Sequence, residues 1–289
     1  MTEPVSLLVS GFDSPEGPCF DTAGNLYFVN WLSSSVMRRT PQGDVSEYFN
    51  TGGIPAGLAF HPDGSLYVAD EGDNIHGILR IADGQGEIVV NTHQGQPLNG
   101  ANDLVFAANG VLYFSDPWRS SAANPVGGFY RFFPDGTLEQ IDSGLQFPNG
   151  VAISPAADAV YLAETVPNRI LRYAIGPDGA LGPREHWADM PPVSLPSAAA
   201  ADDLPTGGPD GMAFDEAGNL YVAYYGGGRV VIFAPDGSLS GEIPVPGRNV
   251  TNIAFGGPDR RTAIITDVET ASIYTTQVAT PGLRPSSGE

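Results

Sequence analysis

Apolar positions along this chain come in short bursts that alternate with polar ones, and the bursts return at intervals. LYFVN at 26–30 is echoed by LYVAD at 66–70, LYFSD at 112–116, VYLAE at 160–164 and LYVAY at 220–224. Each is preceded by a turn rich in Asp, Asn and Gly and, before that, by a shorter apolar stretch, which is the pattern of a β-hairpin. The full unit reads SPEGPCFDTAGNLYFVN from Ser14, IPAGLAFHPDGSLYVAD from Ile54, GANDLVFAANGVLYFSD from Gly100, FPNGVAISPAADAVYLAE from Phe147, GPDGMAFDEAGNLYVAY from Gly208 and, more weakly, VTNIAFGGPDRRTAIITD from Val250. The starts lie 40, 46, 47, 61 and 42 residues apart. That is the period of a four-stranded propeller blade.

The intervals supply two more strands each, for example GILRIAD with GEIVVNT and GFYRFFP with TLEQIDS. Six periods therefore predict an all-β, six-bladed β-propeller with four antiparallel strands per blade. The last copy is followed by one further strand, ASIYTTQVA, while PVSLLVS near the amino terminus has no blade of its own. Pairing the two completes the final blade and removes two free sheet edges. No blade can bury both faces without neighbours, so residues 1–289 are read as one propeller domain.

Composition changes this picture little. The 37 Gly and 26 Pro suit the many tight turns, and helix is expected to be nearly absent. The net charge of -20 disfavours nucleic acid and anionic lipid as partners. The start MTEPVS has neither a basic leader nor an apolar run, and the lone Cys19 reads as a buried thiol, so the cytoplasm is the expected compartment. A monomer is the default, with a dimer through an exposed outer strand as the alternative.

Candidate chemistry lies where the copies differ. At the third residue of each unit stand Glu16, Ala56, Asn102, Asn149, Asp210 and Asn252. A propeller brings equivalent positions to one rim of its channel, so five oxygen-bearing side chains converge on one axis. Carboxylates and amides without His or Cys describe a site for a hard cation, Ca²⁺ first, with Mg²⁺, Mn²⁺ or Fe²⁺ open and Zn²⁺ less fitting. Such an ion could instead only tie the blades together. Glu16, Asn102, Asn149 and Asp210 form the expected ligand set, and Ala56 leaves a gap through which substrate could enter.

Asn30, Asp70, Asp116, Glu164, Tyr224 and Asp267 close the second strand of each unit and read mostly as acceptors for turn backbone. Asp103 is expected to orient a ligand amide. The interval 184–208, Pro-rich and Ala-rich, is expected to be a lid or substrate wall, and Trp118 with Arg119 to flank the mouth. No G-x-S-x-G elbow, H-E-x-x-H pair or phosphate loop is present.

EGP at Glu16, GANDLVF with LYFSDP, FPNGVAI with VYLAE, and GPDGMAFDEAGNLYVA resemble, in order and register, the senescence-marker-protein/gluconolactonase/luciferin-regenerating-enzyme family of six-bladed propellers, including its diisopropylfluorophosphatase and drug-responsive lactonase branches. The resemblance implies a metal-dependent lactonase acting on a small lactone, with a divalent cation held by Glu16, Asn102, Asn149 and Asp210. It also implies Asp210, Glu16 and Asn102 as catalytic residues, with Asp210 activating water or attacking directly. A phosphotriesterase of the fluorophosphatase kind and a noncatalytic ligand-binding propeller are the alternatives. The phosphatase-like branch holds a second calcium with an Asp and a His at places that here look like Ala213 and Ala254. Gly100-Ala101 stand where sugar-lactone members carry an arginine, so an aldonolactone substrate does not follow.

Overall fold

The computed structural model describes residues 4–192 and 207–284. Six four-stranded antiparallel sheets follow one another, and a two-stranded hairpin (Thr92–His93 with Gln96–Pro97) stands between the second and third. The innermost strands of the six blades are Pro15–Phe20, Pro55–Phe60, Leu104–Phe106, Pro148–Ile153, Gly208–Phe214 and Val250–Gly256. Each pairs with the aromatic strand that the repeat predicts: Leu26–Asn30, Leu66–Asp70, Leu112–Asp116, Ala159–Glu164, Leu220–Tyr225 and Thr262–Asp267.

The ring closes as the leftover strands require. Ser6–Ser10 pairs antiparallel with Ser272–Gln277, Ser10 opposite Ser272, and becomes the outer strand of blade 6. Strands from both ends of the chain thus share one sheet, with Ser6–Ser10 at its outer edge and Val250–Gly256 at its inner one.

The core is divided rather than central. Six apolar clusters fill the seams between successive blades, such as Val29, Leu58 and Val68 between blades 1 and 2, or Phe28 and Ile264 between blades 1 and 6. Strand alternation explains this, because each blade sends side chains to both neighbours and buries neither face alone. Among the described residues the only helical segment is the 3-10 turn Trp31–Ser33. No helix there is long and apolar enough to cross a membrane.

One expectation is revised. The interval 184–208 is not all loop, because Glu185–Asp189 forms the outer strand of blade 4. Its EHWAD sequence hides the alternation behind a charged, solvent-facing side, with Trp187 packed inward against the seam of blades 4 and 5. Residues 193–206, the rest of the expected lid, lie outside the described residues.

Candidate functional site: a carboxylate and carboxamide ring at the channel mouth

The innermost strands carry a β-bulge beside the ring position in five blades. Pairing shifts between Glu16 and Cys19, Pro55 and Leu58, Pro148 and Val151, Pro209 and Met212, and Val250 and Asn252. A bulge interrupts the two-residue alternation and re-aims a side chain, here toward the axis. In four blades a glycine follows the ring residue, and the packing says why. A Cβ on Gly17 would collide with the Ala56 carbonyl oxygen of the next blade, and one on Gly150 with that of Asp210. The backbones bearing the ring residues therefore touch across the blades, a spacing only glycine permits.

The ends of the second strands act as straps. Asn30 accepts the Ser14 N–H at 3.0 Å, Asp70 that of Ile54 at 2.8 Å, Asp116 that of Gly100 at 2.7 Å and Glu164 that of Gln146 at 2.8 Å. Each bond fixes the segment two or three residues ahead of a ring position. In the remaining two blades Asp267 accepts from Thr270 as well as from the backbone of Asn249, and the Tyr224 hydroxyl donates to the Pro191 carbonyl.

Glu16, Ala56, Asn102, Asn149 and Asp210 line one cavity of 330 Å³. The sequence-predicted four thus come together from blades 1, 3, 4 and 5. Asn149 donates through Nδ2 to Thr165 Oγ1 at 3.3 Å, while its buried Oδ1 has no partner. Asn102 donates through Nδ2 to Glu71 Oε1 at 2.8 Å; a carboxylate can only accept, so the Asn102 amide oxygen must face the other way. Asn252 behaves differently. Its oxygen accepts the Ile253 N–H and its Nδ2 donates to Glu16 Oε1, both at 2.8 Å. Its oxygen is thus turned to the backbone of its own strand, and its nitrogen holds Glu16.

The electrostatics are those of acids crowded together. Glu16 is held well above the usual carboxylate range, first by burial and then by Asp210, Asp103 and Glu71. Asp210 is raised by burial, Asp103 and Glu71, with partial relief from the Asn149 amide. Glu71 is pushed up to about 7 and Asp103 to about 6, both mainly by burial. No Arg or His lines the cavity among the described residues. The acids are therefore uncompensated by protein cations, a costly state at neutral pH unless a positive charge is supplied. Among the described residues no three His, Cys, Asp or Glu side chains gather as a metal cluster. A cation here would accordingly rest on amide oxygens as well as carboxylates, and the bare Asn149 oxygen fits that role.

Several expected participants lie elsewhere. Asp103 accepts the backbone N–H groups of Leu104 and Val151 at 2.9 and 2.8 Å, tying blade 3 to blade 4, and does not hold a ring amide. Arg119 pairs with Asp73 at the surface. Trp118 does line the cavity.

Glu71 is the residue that sequence reasoning missed, and it belongs to a set. Trp31, Glu71, Thr165, Tyr225 and Val268 each follow directly on the strap position of their blade, and all line the cavity; in blade 3, where Pro117 takes that place, Trp118 does so. The signal was present in the repeat, one residue beyond the position singled out. Glu71 accepts from Trp31 Nε1 at 3.4 Å as well as from Asn102, and so fills the side of the ring left open by Ala56.

Fold and cavity together define a six-bladed propeller whose channel opens on a ring of carboxylates and carboxamides. The chain belongs to the SMP-30/gluconolactonase/LRE-like family, which it matches over residues 14–269. It is 30% identical over 282 residues to the gluconolactonase of Zymomonas mobilis, covering 89% of this chain and 77% of that one. It is 29% identical over 290 residues to the diisopropyl-fluorophosphatase of Loligo vulgaris, covering 90% and 87%. A solved gluconolactonase from Xanthomonas campestris superposes with a TM-score of 0.79 at 27% identity, over 96% of this chain and 89% of that one.

Proposed function

We propose that this protein is a divalent-cation-dependent hydrolase that opens a lactone ring. The observation that carries the reading is the half-buried Glu16 and the buried Asp210, uncompensated by a protein cation, beside the unpartnered Asn149 oxygen, in a family whose similar members include gluconolactonases. Glu16, Asn102, Asn149 and Asp210 would hold the cation, and Ca²⁺ suits an all-oxygen set of two carboxylates and two amides best. When bound, the ion supplies the positive charge that makes the lactone carbonyl electrophilic.

The rest of the chemistry falls to the chain. Asp210 orients a water and takes its proton as the water oxygen bonds to the carbonyl carbon. The ring C–O bond then breaks, and the same proton passes to the departing alkoxide, leaving a hydroxy acid. Glu16, held by Asn252, keeps the ligand frame in place, and Asn102, held by Glu71, presents its oxygen to the axis. The cavity wall carries acids and, among the described residues, no Arg or His to retain the product carboxylate, which favours its release.

The test is hydrolysis of a lactone panel, read by pH drop, with chelated protein resupplied with Ca²⁺, Mg²⁺, Mn²⁺, Zn²⁺ or Fe²⁺. Cation-dependent turnover that is lost in Asp210→Asn, with the fold retained, is the expected result. A bound cation with no lactone turned over, or faster cleavage of a fluorophosphate than of every lactone, would overturn it.

A further inference from the structure

The polar groups of the cavity wall are already committed to the protein. Ser14 Oγ accepts the Leu32 N–H at 2.8 Å, Thr165 Oγ1 donates to the Pro209 carbonyl at 2.8 Å, and Thr251 Oγ1 is shared between the Pro15 carbonyl and Thr266. The two oxygens of Glu71 accept from Asn102 and Trp31. Apart from the proposed ligands, what remains is Asp13 at the exposed rim and the polar tips of Trp118 and Tyr225, which make no hydrogen bond among the described residues.

The balance of the wall is apolar: Trp31, Leu32, Trp118, Phe147, Tyr225 and Val268. Two of these are placed at a cost. Leu32 is 67% exposed on the turn Trp31–Ser33, where it serves no seam between blades. Phe147 adopts a left-handed backbone, φ 60°, directly before Pro148, a conformation disfavoured for a bulky residue. It is held there by Ser120 Oγ, which accepts the Phe147 N–H at 3.3 Å, and by the Thr165 N–H on its carbonyl at 3.0 Å. Strain kept at a cavity wall points to a contact made there.

From this wall, and resting on the lactonase reading above, we infer that the substrate is a lactone with an apolar or aromatic body rather than a polyhydroxylated sugar lactone. A sugar lactone would bury several hydroxyls against a mainly apolar wall whose polar groups already bond the protein, whereas a bicyclic aromatic lactone needs only its two ester oxygens satisfied. Trp31, Trp118 and Phe147 supply the flat apolar area, and the free tips of Trp118 and Tyr225 can serve the ester.

The experiment compares kcat/KM of the calcium-loaded full chain on dihydrocoumarin and on glucono-1,5-lactone, with Leu32→Asp and Trp118→Ala alongside. A preference of about tenfold or more for dihydrocoumarin is expected. Leu32→Asp should raise KM for dihydrocoumarin several-fold with kcat nearly unchanged; it lies on the surface and leaves folding intact. In parallel, the nonhydrolysable ketone 2-tetralone should quench tryptophan fluorescence, and less so in Trp118→Ala. Equal or faster turnover of glucono-1,5-lactone overturns this inference while leaving the lactonase reading standing. Tetralone quenching without turnover of either lactone overturns the lactonase reading, and the substrate assignment with it.

Discussion

Asn102 donates its amide N–H to Glu71 Oε1 at 2.8 Å, across the seam between blades 2 and 3. The bond fixes the orientation of a side chain that could otherwise flip, and so decides that an oxygen rather than a nitrogen faces the axis. Glu71→Gln removes that constraint, because a glutamine amide can pair with either orientation of Asn102. Calcium affinity is expected to fall about tenfold by isothermal titration, the range found for groups that orient metal ligands. The thermal midpoint of the cation-free protein should not drop, since a buried acid has been exchanged for a neutral group of the same shape. Unchanged affinity would remove Glu71 from the site.

Asn252 makes the same kind of contact with Glu16 from the other side of the ring. Asn252→Asp keeps the shape and replaces a donor with one more acid. The cation-free protein should lose about 1–3 kcal/mol of stability at pH 8 in urea unfolding. Saturating calcium should recover most of the loss, which a purely packing role for Asn252 does not predict.

The glycine that follows a ring residue in four blades gives a stability contrast with a glycine in an open turn. Gly150→Ala sets a Cβ against the Asp210 carbonyl, backbone against backbone, and should cost about 3 kcal/mol or more or prevent folding. Gly64→Ala meets nothing within 4 Å and suffers only its φ of 86°, about 1–2 kcal/mol. Similar unfolding midpoints for the two variants would mean that the blades can part at the ring without penalty.

Burial raises the pKa values of Glu16, Asp210, Glu71 and Asp103 in the folded chain, and repulsion from neighbouring acids raises those of Glu16 and Asp210 further. The folded protein therefore keeps protons that the unfolded chain releases, and stability falls as pH rises from the ordinary carboxylate range through about 7. In chelator the thermal midpoint should be higher near pH 5 than near pH 8. Calcium, which binds the ionised forms, should reverse that order. A midpoint rising with pH in chelator would contradict the assigned burial.

The architecture was legible because the repeat is: LYFVN, LYVAD, LYFSD, VYLAE and LYVAY mark each second strand, and PVSLLVS had no partner other than ASIYTTQVA. The ring positions were legible for the same reason, since a closed propeller converts register into proximity. What register cannot show is how an amide turns. Asn102, Asn149 and Asn252 look alike in the sequence, yet only the neighbours Glu71, Thr165 and Ile253 decide which of them has an oxygen to spare. Glu71 escaped notice because it has no acidic counterpart in the other blades: its equivalents include Trp31, Thr165, Tyr225 and Val268, so the position reads as a loop end until the cavity shows it as wall. Glu185–Asp189 was hidden by its charged outer face, as outer strands with one solvent side often are.

The central claim is that Glu16, Asn102, Asn149 and Asp210 together hold the cation on which lactone hydrolysis depends. Its most direct test is one calcium titration of chelated protein in which binding heat and initial rate of lactone hydrolysis are followed side by side, for the native chain and for Asp210→Asn. One cation per chain is predicted, with rate rising in step with occupancy, and both responses should be lost or displaced to about 100-fold higher calcium in the variant. Hydrolysis at full rate in chelator, or equal calcium binding by the folded variant, would contradict it.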